Sequence, residues 1–349
     1  MSFSDKILAW YHENKRDLPW RNTLDPYKIW LSEIILQQTR VAQGIPYYYS
    51  FIEAFPKVEN LASADEEQVL KLWQGLGYYS RARNLHAAAK MVVDQFNGKF
   101  PKTYDDLLKL KGVGDYTASA ISSICFNEAQ AVVDGNVYRV LSRYFGVNTP
   151  INSTEGIKSF KRLALEILHP ANVRDYNQGI MEFGAVQCTP QNPSCTTCPL
   201  ADGCVALEKG IVKDLPVKNG RTKIRKRYFN YLVPLEHRQN DEKITQLRQR
   251  RGKGIWQNLW EFPLLETEKE VGLEDIEFRH SEVVKFKKPP EISLFNSDSI
   301  VHKLSHQHLY TQFWILEGSF YQTDAIPVSD LKNYPVPVLI AEFIKTFKF

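Results

Sequence analysis

No run of about 18 apolar residues occurs in the 349 positions of this chain, which argues against a membrane-spanning helix. The first twenty residues, MSFSDKILAWYHENKRDLPW, alternate charged and apolar side chains and hold no apolar core of the kind a secretion signal needs. Internal repeats and low-complexity stretches are also missing, so repeat architectures are excluded. Charge of one sign is in short supply: 44 basic residues face 40 acidic ones, a net of +4. Cysteine is scarce, at five residues. These absences leave a globular, cytoplasmic chain in a reducing compartment as the expectation, with no membrane partner and enough length for two cores.

Four of the five cysteines fall together as Cys188-x6-Cys195-x2-Cys198-x5-Cys204. Loops this short do not suit disulfides, and nothing suggests an oxidising compartment, so a metal centre is expected at Cys188, Cys195, Cys198 and Cys204. A single CxxC with unequal outer loops, and Pro199 directly after Cys198, favour a 4Fe-4S cluster over structural zinc. Cys125 lies in the apolar run ASAISSICF and reads as an ordinary core thiol.

The charge is unevenly spread. Residues 213–349 hold 22 basic and 18 acidic side chains, which leaves the first 212 residues neutral. Most of the excess sits in VKDLPVKNGRTKIRKR, residues 212–227, read as a linker that either tracks phosphates or is simply solvated. Before it, apolar residues recur at helical spacing, with Thr103 placed to cap TYDDLLKL and Gly146 to close NVYRVLSRYFG. After it come short strand-like runs, RYFNYLVPLEH, KITQLRQR and QFWILEG, and a tail that looks helical at its end. The expectation is a mainly α N-terminal domain over residues 1–212, a linker over 213–227, and an α+β C-terminal domain over 228–349.

Three features carry chemistry. LLKLKGVGDYTASA reads as a helix ending near Leu110, a turn through Gly112 and Gly114, and a second helix from about Asp115. Such a helix-hairpin-helix offers backbone N–H groups to a phosphate and implies DNA binding without base preference. Asp134, just ahead of a helix in VVDGNVYRV, reads as an N-cap whose ionised form the helix N-terminus favours, with Asn136 able to orient a neighbour or a water. Glu33 sits among Ile29, Trp30, Ile34, Ile35 and Leu36, where desolvation would hold its proton longer; the plainer reading is a solvated helix-face residue. Two carboxylates in unlike surroundings are the usual equipment for cleaving a glycosidic bond.

WLSEIILQQT, QGLGYYSRARNL, LKGVGDYTASA, VVDGNVYRV and the cysteine cluster, in this order, resemble the helix-hairpin-helix DNA glycosylases related to endonuclease III, and within them the MutY-type adenine DNA glycosylases. The resemblance implies a hairpin subdomain over 21–130 and an iron-sulfur subdomain made of 1–20 with 131–212. It also implies removal of adenine paired with 8-oxoguanine or guanine in double-stranded DNA, by base flipping, in a monomeric enzyme. In that scheme Glu33 protonates adenine and Asp134 stabilises the oxocarbenium-like sugar. Tyr116 occupies the position where lyase-active relatives carry a Schiff-base lysine, which implies a monofunctional enzyme, and Tyr116 and Asn136 order the site. Arg16, Trp20, Arg21 and Leu36 resemble adenine-pocket residues, and Gln38 and Tyr78 resemble wedges in the DNA stack. Core packing or a surface ion pair is the alternative for each.

GKGIWQNLWEFP, residues 252–263, resembles a Nudix-type stretch, but EFPLLETEKEVGLEDIEF lacks the REx2Ex2G glutamates that hold Mg2+. The C-terminal domain is therefore expected to be a Nudix-like lesion reader, with Ser305 and His306 in KLSHQHL contacting 8-oxoguanine. Two departures stand out: Leu304 replaces the phenylalanine that often precedes that pair, and TPQNPS between Cys188 and Cys195 has no basic residue. Because a 4Fe-4S core with four thiolates carries a net charge of about −2, Arg139 and Arg143 are the candidate cations for DNA near the cluster. A bifunctional glycosylase for oxidised pyrimidines, a nucleotide pyrophosphatase and a plain DNA-binding module are the competing readings.

Overall fold

The computed structural model describes residues 1–220, 223–239, 242–321 and 324–349. The chain divides into two compact units, Met1–Ser63 with Asn84–Gly220 and Ala64–Arg83 with Arg221–Phe349. The helices before the linker are α1 (Phe3–Asn14), α2 (Pro26–Leu36), α3 (Val41–Ala54), α4 (Val58–Ser63), α5 (Glu66–Leu72), α6 (Ser80–Phe96), α7 (Tyr104–Leu107), α8 (Asp115–Phe126), α9 (Gly135–Phe145), α10 (Thr154–Glu166), α11 (Val173–Val186) and α12 (Val205–Glu208).

Local chemistry sets many of these boundaries. Ser2 Oγ accepts from Asp5 N at 3.2 Å while the Asp5 carboxylate accepts from Ser2 N at 3.0 Å, a reciprocal cap that starts α1. Thr103 caps α7 and Gly146, at φ +69°, closes α9, both as the sequence predicts. One core of the first unit gathers Ile7, Val137, Leu141, Phe160, Tyr176 and Phe183 from α1, α9, α10 and α11, all nearly inaccessible.

The hairpin is α7, a turn, and α8. The first helix stops at Leu107 rather than near Leu110, because Lys109, Leu110 and Val113 each donate to a carbonyl three residues back, tightening the chain out of the α register. Gly112 has φ +75°, and a Cβ there would lie 2.7 Å from Asn84 Cβ, so only glycine fits. Gly114 is extended, with nothing within 4 Å of where a Cβ would stand.

The expected linker divides differently. Leu215 is buried and its carbonyl accepts from Arg143 Nε, Val217 O accepts from Ile151 N, and Asn219 exchanges two hydrogen bonds with Asn152. Residues 213–220 are thus strapped to the helical unit; residues 221 and 222 lie outside the described residues. By Arg225 the chain has entered β1 (Arg225–His237), so Arg225, Lys226 and Arg227 belong to a strand.

The second unit continues with β2 (Lys243–Gln246), β3 (Arg248–Gln249), β4 (Trp260–Glu261), β5 (Leu264–Thr267), α13 (Leu273–Arg279), β6 (Glu291–Leu294), β7 (Ile300–Lys303), β8 (Gln307–Glu317), β9 (Ala325–Pro327) and α14 (Val338–Thr346). Its main sheet runs β6-β8-β1-β2-β9, with β5 beside β1, β7 beside β8, and β3 paired with β4 separately. β1 and β8 are parallel at its centre, from Arg225 opposite Gln307 to Leu235 opposite Glu317. One face buries Leu232, Trp314 and Leu316 with Ile276 of α13; on the other, Phe313 stacks on Phe343 of α14 at 4.1 Å. Residues 64–83, expected with the helical domain, group here because Glu66 and Glu67 of α5 accept from Asn258 and Trp260, and Lys71 donates to the Tyr334 carbonyl.

Candidate functional site

A cavity of about 480 Å3 in the first unit is lined by Arg16, Trp20, Arg21, Glu33, Leu36, Gln38, Tyr116, Asp134 and Asn136, nine of the residues singled out from the sequence. They come from four places: the turn before α2, the end of α2, the start of α8, and the start of α9. The hairpin serves the cavity directly, since the turn at Gly112 launches α8 and Tyr116 is the second residue of that helix.

Glu33 is 9 % exposed and packed in the apolar α2, and burial pushes its carboxyl up to about 7. The Tyr116 hydroxyl beside it favours the charged form, while nearby Asp134 repels that charge and Arg21 attracts it. Asp134 is the N-cap of α9. Its Oδ1 accepts from Asn136 N and Val137 N, each at 2.8 Å, and its Oδ2 accepts from Asn136 Nδ2 at 2.7 Å. Burial still raises Asp134 above the usual carboxylate range, against the sequence expectation that the helix N-terminus would dominate. Three N–H donors on Asp134 and one hydroxyl beside Glu33 decide where a proton goes in this pair: to Glu33. Asn136 is itself oriented, because its Oδ1 accepts from Arg139 Nη2 at 2.9 Å.

Among the cavity residues that went unnoticed in the sequence, two bear on its chemistry. Glu182 of α11 accepts from Arg16 Nε and Arg16 Nη2, each at 2.6 Å, and from Arg21 Nη2 at 2.6 Å. Its side chain is only 1 % exposed, and these guanidinium bonds outweigh burial and hold its carboxyl at about 2. Met181 precedes it, with Sδ 3.3 Å from the Tyr116 hydroxyl. The available signal was a lone glutamate inside the apolar stretch GIMEFGAV; its partners lie 161 and 166 positions away. Trp20 packs edge-on against Tyr48 at 5.4 Å, and Leu36 touches the space a Cβ on Gly44 would need.

Gln38 lines the cavity, and the remaining predicted residues lie elsewhere. Gln38 and Tyr78 both hold left-handed backbone, φ 56° and 47°, which is costly for residues with a Cβ. Tyr78, in the second unit, is 46 % exposed, and its hydroxyl is 2.6 Å from Ser305 Oγ. Ser305 and His306 occupy the β7–β8 turn that Leu304 N closes on Gln307 O. Gly112 and Gly114 belong to the hairpin turn, ahead of α8 whose N-terminus has no side-chain cap. In the Nudix-like stretch, Glu261 is buried and taken by Arg250 at 2.7 Å and the Tyr231 hydroxyl at 3.0 Å.

Cys188, Cys195, Cys198 and Cys204 are all free and line one small apolar cavity. Among the described residues no three His, Cys, Asp or Glu side chains gather tightly enough for a single ion. Thiols set around a shared space fit a multi-iron cluster, and the Arg143 guanidinium, 3.4 Å from Cys188 Sγ, supplies positive charge to an anionic core. Arg139 and Arg143 are not cations facing outward: they are 8 % and 3 % exposed. Arg139 donates to the Gly184 and Cys188 carbonyls, and Arg143 to those of Thr189, Pro190 and Leu215, so both guanidinium groups satisfy backbone carbonyls inside the fold. Cys125 is a half-buried core thiol, raised to about 12 by burial.

Residues 31–164 match the HhH-GPD superfamily of base excision DNA repair proteins, residues 188–204 the iron-sulfur binding domain of endonuclease III, and residues 236–346 the NUDIX domain. An adenine DNA glycosylase of Buchnera aphidicola is 35% identical over 323 residues, covering 92% of this chain and 89% of that protein. The adenine DNA glycosylase of Mus musculus is 44% identical over 227 residues, 62% of this chain and 44% of that protein. Among solved structures, a thermostable thymine-DNA glycosylase shares 32% identity with a TM-score of 0.55, over 59% of this chain and 95% of that one. A non-covalent endonuclease III–DNA complex, at 22% identity and a TM-score of 0.52, matches over 60% of this chain and 94% of that one, and shares the fold. The cofactor is a 4Fe-4S cluster, whose binding domain residues 188–204 match, and the two-part architecture is a helical hairpin glycosylase domain with a Nudix-like domain after it. With its paired carboxylates, its cluster loop and a relative matched over 92% of this chain and 89% of its own length, this chain belongs to the adenine DNA glycosylase family.

Proposed function

We propose that this DNA glycosylase removes adenine paired with 8-oxoguanine or guanine in duplex DNA, acting as a monomer that flips the base into the cavity holding Glu33 and Asp134. The observation that carries the reading is the unequal pair: Glu33 is buried beside one hydroxyl and raised to about 7, whereas Asp134 accepts three N–H bonds. Glu33 holds the proton that goes to a ring nitrogen of adenine, and Asp134 stays charged beside the sugar as positive charge develops there. Asn136 fixes Asp134, and Tyr116 stands beside Glu33. Arg16, Arg21 and Glu182 form the polar wall of the pocket, while Trp20 and Leu36 supply apolar contact. The turn at Gly112 and Gly114 and the uncapped start of α8 take a backbone phosphate. Gln38 and Tyr78 fill the space the flipped base leaves, and Ser305 and His306 read the opposite base.

The cluster is assigned a structural role: bound by Cys188, Cys195, Cys198 and Cys204, it gives the loop a covalent core that the fold would otherwise lack. Tyr116 offers no amine, so release of the base is hydrolytic and the strand is left intact. The domain division this implies is a glycosylase part that extends to about residue 220 and a lesion-reading part that begins with β1.

The test is single-turnover reaction of an 8-oxoguanine:adenine duplex, resolved with and without hot alkali. Strand breaks only after alkali are expected. Breaks without alkali would mean a lyase, and no breaks at all would defeat the assignment.

A further inference from the structure

The Tyr116 hydroxyl has one hydrogen and two acceptors. Its oxygen is 3.3 Å from Met181 Sδ, and the Glu33 carboxyl, which lines the same cavity, lies near enough to interact with it. A carboxylate can only accept, so when Glu33 is charged the Tyr116 hydrogen belongs to it. When Glu33 is protonated, its own O–H can point at the base or at the Tyr116 oxygen, and the Tyr116 hydrogen needs another acceptor. A thioether sulfur is a weak acceptor but is the one within reach. Met181 is half-buried and lines the same cavity.

We propose that Met181 is a positioning residue for the acid step: its sulfur holds the Tyr116 hydrogen while Glu33 is protonated and releases it to Glu33 as the proton leaves. In that step the Glu33 O–H bond breaks and an N–H bond forms on the base, whose electron pair takes the proton. The Tyr116 O–H does not break; it rotates from Sδ to the new carboxylate. The acid is thereby kept protonated before reaction and its conjugate base is stabilised as it appears. The charged and titratable groups around Glu33 are Arg21 from the turn at 19–21, Tyr116 and Cys125 from α8, Asp134 at the head of α9 and, lining the same cavity, Arg16 and Glu182. Among the described residues the Tyr116 hydroxyl donates to Met181 Sδ. The inference rests on the reading of Glu33 as the acid.

The experiment is a carbon-13 titration of side-chain carboxyls in the full-length, cluster-containing protein, with the Glu33 signal assigned by its loss in Glu33→Gln. Met181→Leu keeps volume but removes the acceptor. It should lower the Glu33 midpoint by about half a pH unit, roughly a threefold change in the protonation equilibrium. Met181→Gln, which restores an acceptor, should return the midpoint to the wild-type value or above. In a Tyr116→Phe background Met181→Leu should have no effect. An unchanged midpoint in Met181→Leu overturns the proposal, as does a shift that persists without the Tyr116 hydroxyl. Adenine release by the wild-type protein is measured in parallel: its absence would defeat the functional reading, while the carboxyl titration would still decide whether Met181 and Glu33 are coupled through Tyr116.

Discussion

At the scale of single residues, the site depends on giving two similar carboxyl groups different surroundings. Glu33 at about 7 must be protonated to act as an acid, so adenine release should fall as pH rises through about 7, read as the alkaline limb of a single-turnover pH profile. The linked stability effect has the same sign. A raised folded value means the neutral side chain favours the folded state at low pH, and that contribution is lost as pH rises through about 7. Glu33→Gln and Asp134→Asn should bind lesion DNA and lose at least about a hundredfold in base release. Near wild-type turnover by either would remove it from its role. Glu182 behaves in the opposite way: held at about 2 by two guanidinium groups, its contribution is present above the usual carboxylate range and lost as pH falls toward about 2. Glu182→Gln should cost about 3 kcal/mol in denaturant unfolding, because it leaves two arginines without their counter-charge.

At the scale of elements, turns and loop braces carry the argument. Gly112→Ala should destabilise by about 1–3 kcal/mol, since φ +75° and the Asn84 side chain both resist a Cβ. Gly114→Ala has extended backbone and open space, so it should leave the melting temperature nearly unchanged while weakening DNA binding. A matched loss of stability in both would mean that the turn alone, and no DNA contact, requires the second glycine. Arg139 ties the start of α9 to the cysteine loop by donating to Asn136, Gly184 and Cys188. Arg139→Leu should lower both iron content and base release, because it strands buried carbonyls at the end of α11 and frees the amide that grips Asp134. The caps at Thr103 and Asp134 and the strands β1 and β8 were legible in the sequence, because short-range patterning alone determines them. The early end of α7 was not, since three successive tightened turns leave no mark on apolar periodicity.

Across the whole molecule, the two units offer separate tests of recognition and chemistry. Replacing Ser305 and His306 together with alanine should reduce the preference for 8-oxoguanine over guanine opposite adenine by about tenfold, the loss expected for one or two base contacts. The rate of base release at saturating enzyme should change far less. An equal loss on both duplexes would place these residues in general DNA binding. No helix among the described residues is long and apolar enough to cross a membrane.

By itself the sequence determined the order of motifs, the four cysteines and the two carboxylates, because each depends on residue type and short spacing. Tertiary structure alone decided that Glu182 and Met181 belong to the cavity, that Arg139 and Arg143 bind carbonyls inside the fold, that residues 213–220 strap onto the helices, and that residues 64–83 group with the C-terminal sheet. In each case the partner lies tens to hundreds of positions away, and a buried charge or hydroxyl takes its role from whichever distant group folding brings within hydrogen-bond reach.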